Sequence, residues 1–383
     1  MNAYESRFRT LLDSAGITVG GPHAYDVHVH DPRAYRRCLA GGAIGLGESY
    51  MDGWWDCDAL DEAFALILRS GLRNRVRITP SMAFDAMREA LPNLPYVIPG
   101  LRPLTARLRS FRRTAETHYE VGNEFYRRLL DERMIYSCGY WSSARSLADA
   151  QLAKLDLACR KLKLEPGMTV LDIGCGWGSF ARYAAETYAV TVVGVTISRA
   201  QMELAKERCA HLPVEIHLAD YREIDGTFDR IVSFGMFEHV GRANFRRYLK
   251  IAEEHLVQDG LFLLETIGSD RSRLPCNPWF QKYIFQAPTS MFPSISELAG
   301  AAEGLFVVED WHNFGFDYAA TLLGWNANLA NNREWIIESY GEPFYRMWRF
   351  YLLSCAGAFA SRSYQMWQIV FARRGVSGGY SWR

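Results

Sequence analysis

Between Val170 and Gly178 the chain reads Val-Leu-Asp-Ile-Gly-Cys-Gly-Trp-Gly. Glycines at every second position (Gly174, Gly176, Gly178) permit a tight turn, close approach of a ligand to bare backbone, and an immediate helix start. Asp172 stands two residues before the first glycine, near the carboxyl end of an apolar strand. That is where open α/β sheets bind ligands. The same residues would also serve a plain strand-to-helix turn with no ligand. The spacing is not G-x-G-x-x-G, which disfavours a nicotinamide cofactor. Asp220 follows another strand and reads equally well as a turn or helix cap.

These residues need a sheet to bring them together. Apolar runs at Val170–Ile173, Ala189–Thr196, Val214–Leu218, Phe228–Phe234 and Gly260–Thr266 alternate with helical patterns of about 10 to 15 residues. Helices are expected at Ser146–Leu164, Ser179–Thr187 and Ser198–Cys209, the last opened by a Ser198 cap. The alternation predicts a doubly wound, mostly parallel α/β sheet. Leu305–Trp311 and Tyr364–Ala372 are two more strand candidates, separated by a Trp- and Tyr-rich helical block from Thr321 to Ser361.

Upstream, residues 1–95 read as a separate helical domain, with helices at Tyr4–Ala15 and Pro32–Ala40. The glycine-dense run from Gly41 to Gly53, followed by Trp54 and Trp55, reads as a loop stapled into a core, or as a segment closing an apolar tunnel. Residues 96–115 form a Pro/Arg-rich linker in which Arg102, Arg107, Arg109, Arg112 and Arg113 interleave with Leu101, Leu104, Leu108 and Phe111. Such a stretch suits either a solvated connector or an anionic bilayer surface. Residues 116–383 then read as a single domain that carries the sheet.

Composition narrows the field. The chain has 383 residues, 43 basic against 43 acidic, so global charge gives no argument for nucleic acid. Its 8 cysteines contain no C-x-x-C pair, which argues against a zinc site or a disulfide framework. No metal site is expected. No signal-peptide core or spanning-length apolar run is visible, so a cytoplasmic protein is expected.

The D-x-G-x-G-x-G stretch resembles motif I of class I S-adenosylmethionine-dependent methyltransferases (Rossmann-like). Further stretches extend the likeness over nearly the whole chain: Gly45-Leu46-Gly47-Glu48-Ser49-Tyr50-Met51-Asp52-Gly53-Trp54-Trp55, His118-Tyr119 with Gly122-Asn123, Tyr136-Ser137-Cys138, Gly194-Val195-Thr196-Ile197-Ser198, Gly235-Met236-Phe237-Glu238-His239-Val240-Gly241, Asp310-Trp311-His312-Asn313-Phe314 and Cys355-Ala356-Gly357-Ala358-Phe359. Together they resemble the cyclopropane-fatty-acyl-phospholipid synthases and, somewhat further off, the mycolic-acid cyclopropane synthases. The resemblance implies methylene transfer from S-adenosylmethionine to a cis double bond of a phospholipid acyl chain, through a carbocation. It assigns Tyr136, Ser137, Gly174, Gly176 and Gly178 to the cofactor, Gln201 beside Thr196 to its ribose, and Asp220, Tyr221 and Arg222 to its adenine. Asp172 joins them at the strand end.

In that family a bicarbonate ion serves as the base. Carrying its ligands over gives Cys138, Glu238, the backbone at Ile267, and Tyr318. The remaining family ligand is a histidine, and this chain has Glu265 there, in Glu265-Thr266-Ile267-Gly268. The departure leads to the expectation that the Glu265 carboxylate stands in for bicarbonate as a built-in base. His239 ranks lower, because adjacent residues commonly point different ways. The resemblance further implies work at the inner membrane surface on unsaturated phospholipid, and leaves room for a homodimer. Competing readings are a lipid C-methyltransferase giving a methyl-branched or methylene product, and a non-catalytic lipid-binding homologue.

Overall fold

A computed structural model describes residues 2–72, 85, 87–88, 91–93, 96, 121–272, 277–285 and 291–382. The arginines of the expected linker, together with His118 and Tyr119, lie outside these residues. The chain divides into two compact units. One comprises Met1–Leu108, Cys276–Pro288 and Leu322–Tyr364; the other comprises Arg109–Pro275, Thr289–Thr321 and Gln365–Arg383. The first unit therefore differs from the expected domain of residues 1–95, because it also draws in two later segments.

In the first unit, two short strands, β1 (His28–Val29) and β2 (Trp55–Asp56), pair antiparallel. Around them lie helices Ala3–Asp13, Arg33–Met51, Leu60–Arg69, Pro278–Tyr283, Arg333–Tyr340 and Glu342–Ala360. The run from Gly41 to Met51 is helical rather than the expected loop, with one break at Gly42 (φ 55°, ψ −136°). Its glycines answer to packing. A Cβ at Gly45 would overlap the Arg37 carbonyl, and one at Gly47 the Trp279 indole. Tyr50, Trp55, Phe64 and Trp279 all pack on Phe350 from helix Glu342–Ala360. From the same helix Arg346 and Arg349 reach the carbonyls of Tyr50, Trp55, Cys57 and Asp58.

The second unit is built on a seven-stranded sheet of β3 (Thr169–Ile173), β4 (Thr191–Thr196), β5 (Val214–Leu218), β6 (Phe228–Phe234), β7 (Leu256–Ser269), β8 (Val307–Asn313) and β9 (Tyr364–Ala372). The spatial order is β5-β4-β3-β6-β7-β9-β8. The five strands β3 to β7 run parallel, and β8 pairs antiparallel with β9. Neither β1 nor β2 enters this sheet.

The two-residue period of a strand sorts its side chains onto opposite faces. Leu171, Ile173, Ile231, Phe262, Leu264, Trp367, Ile369 and Phe371 pack with helices Phe245–His255 and Ile295–Ala302. Val170, Val192, Val232, Leu261, Leu263, Val370 and Ala372 pack on the other face, with helices Leu147–Lys161 and Ser179–Tyr188. Alternation then puts Asp172, Phe234, Glu265 and Gln368 on this second face. Three polar side chains thus share one face of the sheet, with the Phe234 ring beside them.

Candidate active site

At the carboxyl end of β3 the chain turns through Gly174 (φ 83°), Gly176 (φ 55°) and Gly178 (φ 76°), all in the left-handed region. The Gly174 and Cys175 amides donate to the Val195 carbonyl at 2.9 and 3.0 Å, anchoring the loop to β4. Among the described residues, a Cβ at Gly176 would meet nothing within 4 Å. Beside this open backbone Asp172 is 1% exposed, and neither carboxylate oxygen has a hydrogen-bond partner among the described residues. Burial raises its pKa to about 7, with Lys154 opposing. A buried, unpartnered carboxylate next to unencumbered backbone fits a ligand carrying donors and a positive charge. S-Adenosylmethionine is such a molecule.

Residues 121–141 pack onto that loop. Trp177 Nε1 donates to Asn123 Oδ1 at 2.9 Å, and Ser179 Oγ and Arg208 both donate to the Arg133 carbonyl. Tyr126 lies against both Trp177 and Tyr136. At the end of β4, Thr196 Oγ1 donates to Gln201 Oε1 at 2.9 Å, while Ser198 caps its helix as expected. Asp220 caps the following turn, accepting from the Arg222 amide at 3.0 Å and from its guanidinium at 2.8 and 2.6 Å. Tyr221 is buried against Tyr248. The cap weighed for Asp220 is thus present.

A second cluster forms where β6, β7 and two loops meet. Glu238 is 3% exposed in a short turn after β6, and its Oε1 accepts from the Ile267 amide at 2.6 Å. Its other oxygen has no partner among the described residues, and burial raises its pKa to about 7. Glu265 is fully buried, with Oε2 accepting from Gln368 Nε2 at 2.8 Å and Oε1 unpartnered among the described residues. Burial raises its pKa; Lys154 chiefly opposes this, with Gln368 and Lys161 acting the same way. Cys138 is fully buried and its thiol is pushed well up by burial, then by Glu265 and Asp317. Tyr318 is 9% exposed and likewise raised, by burial and then by Cys138, Tyr136, Glu238 and Glu265. Mutual electrostatic influence of this kind requires proximity. The turn carrying Cys138 is tied to helix Gly315–Asn331 through Thr321 Oγ1, which accepts from the Gly139 amide and from Trp141 Nε1. His239 is held neutral, its pKa lowered to about 4 by burial.

Two residues were not singled out from the sequence. Lys154 is 1% exposed, donates from Nζ to Ser137 Oγ at 2.8 Å, and lies 4.3 Å from the centre of the Phe234 ring. Gln368 holds Glu265. A signal for the first was present: Gln151, Lys154 and Lys161 are spaced three, then seven apart with Ala158 between, one stripe of helix Leu147–Lys161, and all are buried. A separate concavity in the first unit is lined by His28, His30, Arg333, Arg346 and Arg349 among others. Its arginines are already engaged by Glu342, Asp56 and backbone carbonyls. Among the described residues no cluster of three or more His, Cys, Asp or Glu could hold a metal ion.

Comparison with known proteins identifies the family and the fold. The family profile described as mycolic acid cyclopropane synthetase matches residues 107–369. The chain is 47% identical over 372 residues to the cyclopropane-fatty-acyl-phospholipid synthase of Escherichia coli (strain K12), covering 96% of this chain and 93% of that one. Among solved structures, the cyclopropane synthase MmaA2 of Mycobacterium tuberculosis is 31% identical with a TM-score of 0.64, over 71% of this chain and 99% of that one. The mycolic acid cyclopropane synthase CmaA1 complexed with SAH and CTAB is 33% identical with a TM-score of 0.63, over 68% and 97%. The second unit therefore carries the class I methyltransferase fold, and the chain belongs to the cyclopropane synthase family.

Proposed function

We infer that the protein is an S-adenosylmethionine-dependent cyclopropane synthase that adds a methylene group across a cis double bond in an acyl chain of membrane phospholipid. One observation carries the reading beyond family membership. A cofactor-suited loop and a cluster of buried carboxyls occupy the same end of one sheet, so that a methyl donor and a proton acceptor can face one substrate carbon.

S-Adenosylmethionine supplies an electrophilic methyl carbon. The residues that would hold it are the Gly174–Gly178 backbone, Asp172, Tyr136, Ser137 and Gln201, with Tyr221 and Arg222 beside the adenine. An alkene is a weak nucleophile, so the chain must keep it in line with that carbon in a dry cavity. Transfer of that carbon to the double bond, its bond to sulfur breaking so that the neutral thioether leaves, would place a carbocation on the acyl chain, and the buried ring of Tyr318 suits its stabilisation as a cation–π partner. A base then takes a proton from the new methyl group, and the released C–H electron pair closes the ring.

Glu265 is our choice of base. Its Oε1 is the unpartnered oxygen, and Gln368 fixes the other. Bicarbonate fits these residues poorly, because two buried carboxyls already share the site. Two charges about 4 Å apart at an effective dielectric of 20 repel by roughly 4 kcal/mol. Glu238, with its pKa near 7, takes the neutral role more readily when Glu265 is ionised.

The membrane surface supplies the substrate in this reading. Among the described residues no helix is long and apolar enough to cross a membrane. Contact would instead run through the linker arginines, whose structure lies outside the described residues.

The test uses vesicles of cis-unsaturated phospholipid with S-adenosylmethionine. Mass spectrometry should show acyl chains heavier by one CH2 group, and proton NMR should show ring methylene signals. An exocyclic methylene or a branched methyl product would replace this reading with the C-methyltransferase. Turnover should persist when dissolved carbon dioxide is removed, and E265Q should lose turnover while retaining cofactor affinity. Strong bicarbonate stimulation of the native protein would refute the choice of Glu265.

A further inference from the structure

The second face of the sheet holds a cation that the reaction as written above does not use. Lys154 sits on the buried stripe of helix Leu147–Lys161, 1% exposed. Among the described residues its Nζ makes one hydrogen bond, to Ser137 Oγ at 2.8 Å, and no ion pair. An ammonium has three donors and a large desolvation cost, so a buried one with a single hydroxyl partner must be offset electrostatically. Desolvation is the main influence lowering its pKa, and Glu265 is the foremost opposing one, followed by Cys138, Asp131 and Asp172.

The geometry explains why. The Lys154 ammonium lies 4.3 Å from the Phe234 ring centre. Phe234 and Glu265 are direct partners in the β6–β7 pairing, so their side chains share a face. The ammonium therefore hangs over the strand position next to the Glu265 carboxylate, from the helix covering that face. The other groups bearing on Glu265 are Lys161 from the same helix, Gln368 from β9, Glu238 after β6, Cys138 and Tyr318. Lys161 is already paired with Asp310 at 2.9 Å, and Gln368 carries no charge. Cys138 and Tyr318 are neutral at ordinary pH because both are pushed upward, and Glu238 acts against ionisation. Among the described residues Lys154 is the cation in this set with no ion pair of its own.

We propose that Lys154 is the positioning residue that sets the charge of Glu265: its buried ammonium keeps the carboxylate ionised in a dry site and, by gripping Ser137, fixes the turn that carries Cys138 opposite it. Gln151 strengthens that grip by donating from Nε2 to the Ser137 carbonyl at 2.9 Å. One polar stripe on one helix thus sets both the backbone of the turn and the electrostatics of the base. The proposal rests on Glu265 being the base, and the test separates the two ideas.

The protonated-carboxyl stretch of Glu265 is followed by difference infrared spectroscopy across pH, the signal being identified by its absence in E265Q. In K154M its titration midpoint should rise by about one pH unit or more, a tenfold or larger loss of the ionised form below the midpoint. K154R, which retains the charge, should fall near the native midpoint. The acid limb of the turnover profile should move upward with the infrared midpoint. Should K154M fail to fold, K154Q removes the same charge with a polar side chain and carries the same expectation. An unchanged midpoint in a folded K154M or K154Q would overturn the role of Lys154. Full turnover in E265Q would instead dismiss Glu265 as base, and the infrared midpoints would still report whether Lys154 governs its charge.

Discussion

Gly176→Val separates the cost of a substitution to the fold from its cost to the cofactor site. Gly176 has φ 55°, and an added Cβ would meet no atom of the described residues within 4 Å. The penalty to folding is therefore the left-handed backbone alone, about 1–2 kcal/mol for an L-residue and at the upper end for a β-branched one. For a domain of this size that corresponds to a fall in melting temperature of roughly 4–8 °C at 2 kcal/mol. A folded variant is expected. In the cofactor site proposed above, the same side chain would stand on the surface that the methionine part of S-adenosylmethionine approaches. Loss of backbone contact should weaken binding at least about a hundredfold, near 2.7 kcal/mol. Gly174 makes a poorer probe, because its Cβ would also press on Met236 at 3.0 Å and mix the two effects. Titration calorimetry with S-adenosylmethionine, on protein shown folded by circular dichroism, gives the answer. G176A serves as the milder companion. Native affinity in a folded G176V would mean that the glycine loop is not the cofactor surface.

Three more outcomes follow from particular residues. Burial raises Asp172 to about 7, against 3.8 for the group in the open. The folded chain thus keeps a proton that the unfolded chain has released between those values, and native stability should decline as pH rises through that window. Asp172→Asn removes this penalty: denaturant unfolding should show it gaining up to about 4 kcal/mol over the native protein by pH 7, with no gain below about pH 4, while S-adenosylmethionine affinity falls. Gly357→Ala would drive a Cβ into the Asp61 carbonyl, where helix Glu342–Ala360 packs on helix Leu60–Arg69; a loss of about 1–3 kcal/mol is expected by thermal melting, and unchanged stability would contradict that packing. Reversing Arg107, Arg109, Arg112 and Arg113 to Glu should weaken sedimentation with anionic vesicles, by about 1 kcal/mol per charge at the surface, and leave cofactor affinity alone.

The sequence reading succeeded where a local rule was enough. Val214–Leu218, Phe228–Phe234 and Tyr364–Ala372 are bounded as expected, since short apolar runs between turn residues have few alternatives in an α/β chain. It failed at Gly41–Gly53. Glycine counts as a helix breaker, yet here Gly45 and Gly47 are what let the helix pass the Arg37 carbonyl and the Trp279 indole. The missing fact was the neighbour, 232 positions away in the case of Trp279, and no local pattern announces it.

The sequence by itself determined the parallel sheet, the glycine turn after β3, the presence of carboxyls on β3 and β7, and the replacement of the family's histidine by Glu265. The first three follow from side-chain type and period along a single stretch, and the last is what the family resemblance implies. Only the tertiary structure decided what those carboxyls face. Strand alternation puts Asp172, Glu265 and Gln368 on one face, but which helix covers that face depends on packing between distant segments. That packing brings Gln368 to Glu265 from 103 positions away and buries Lys154 above Phe234. Charge in a protein interior is set by burial and by the nearest counter-charge, and both are properties of the assembled fold.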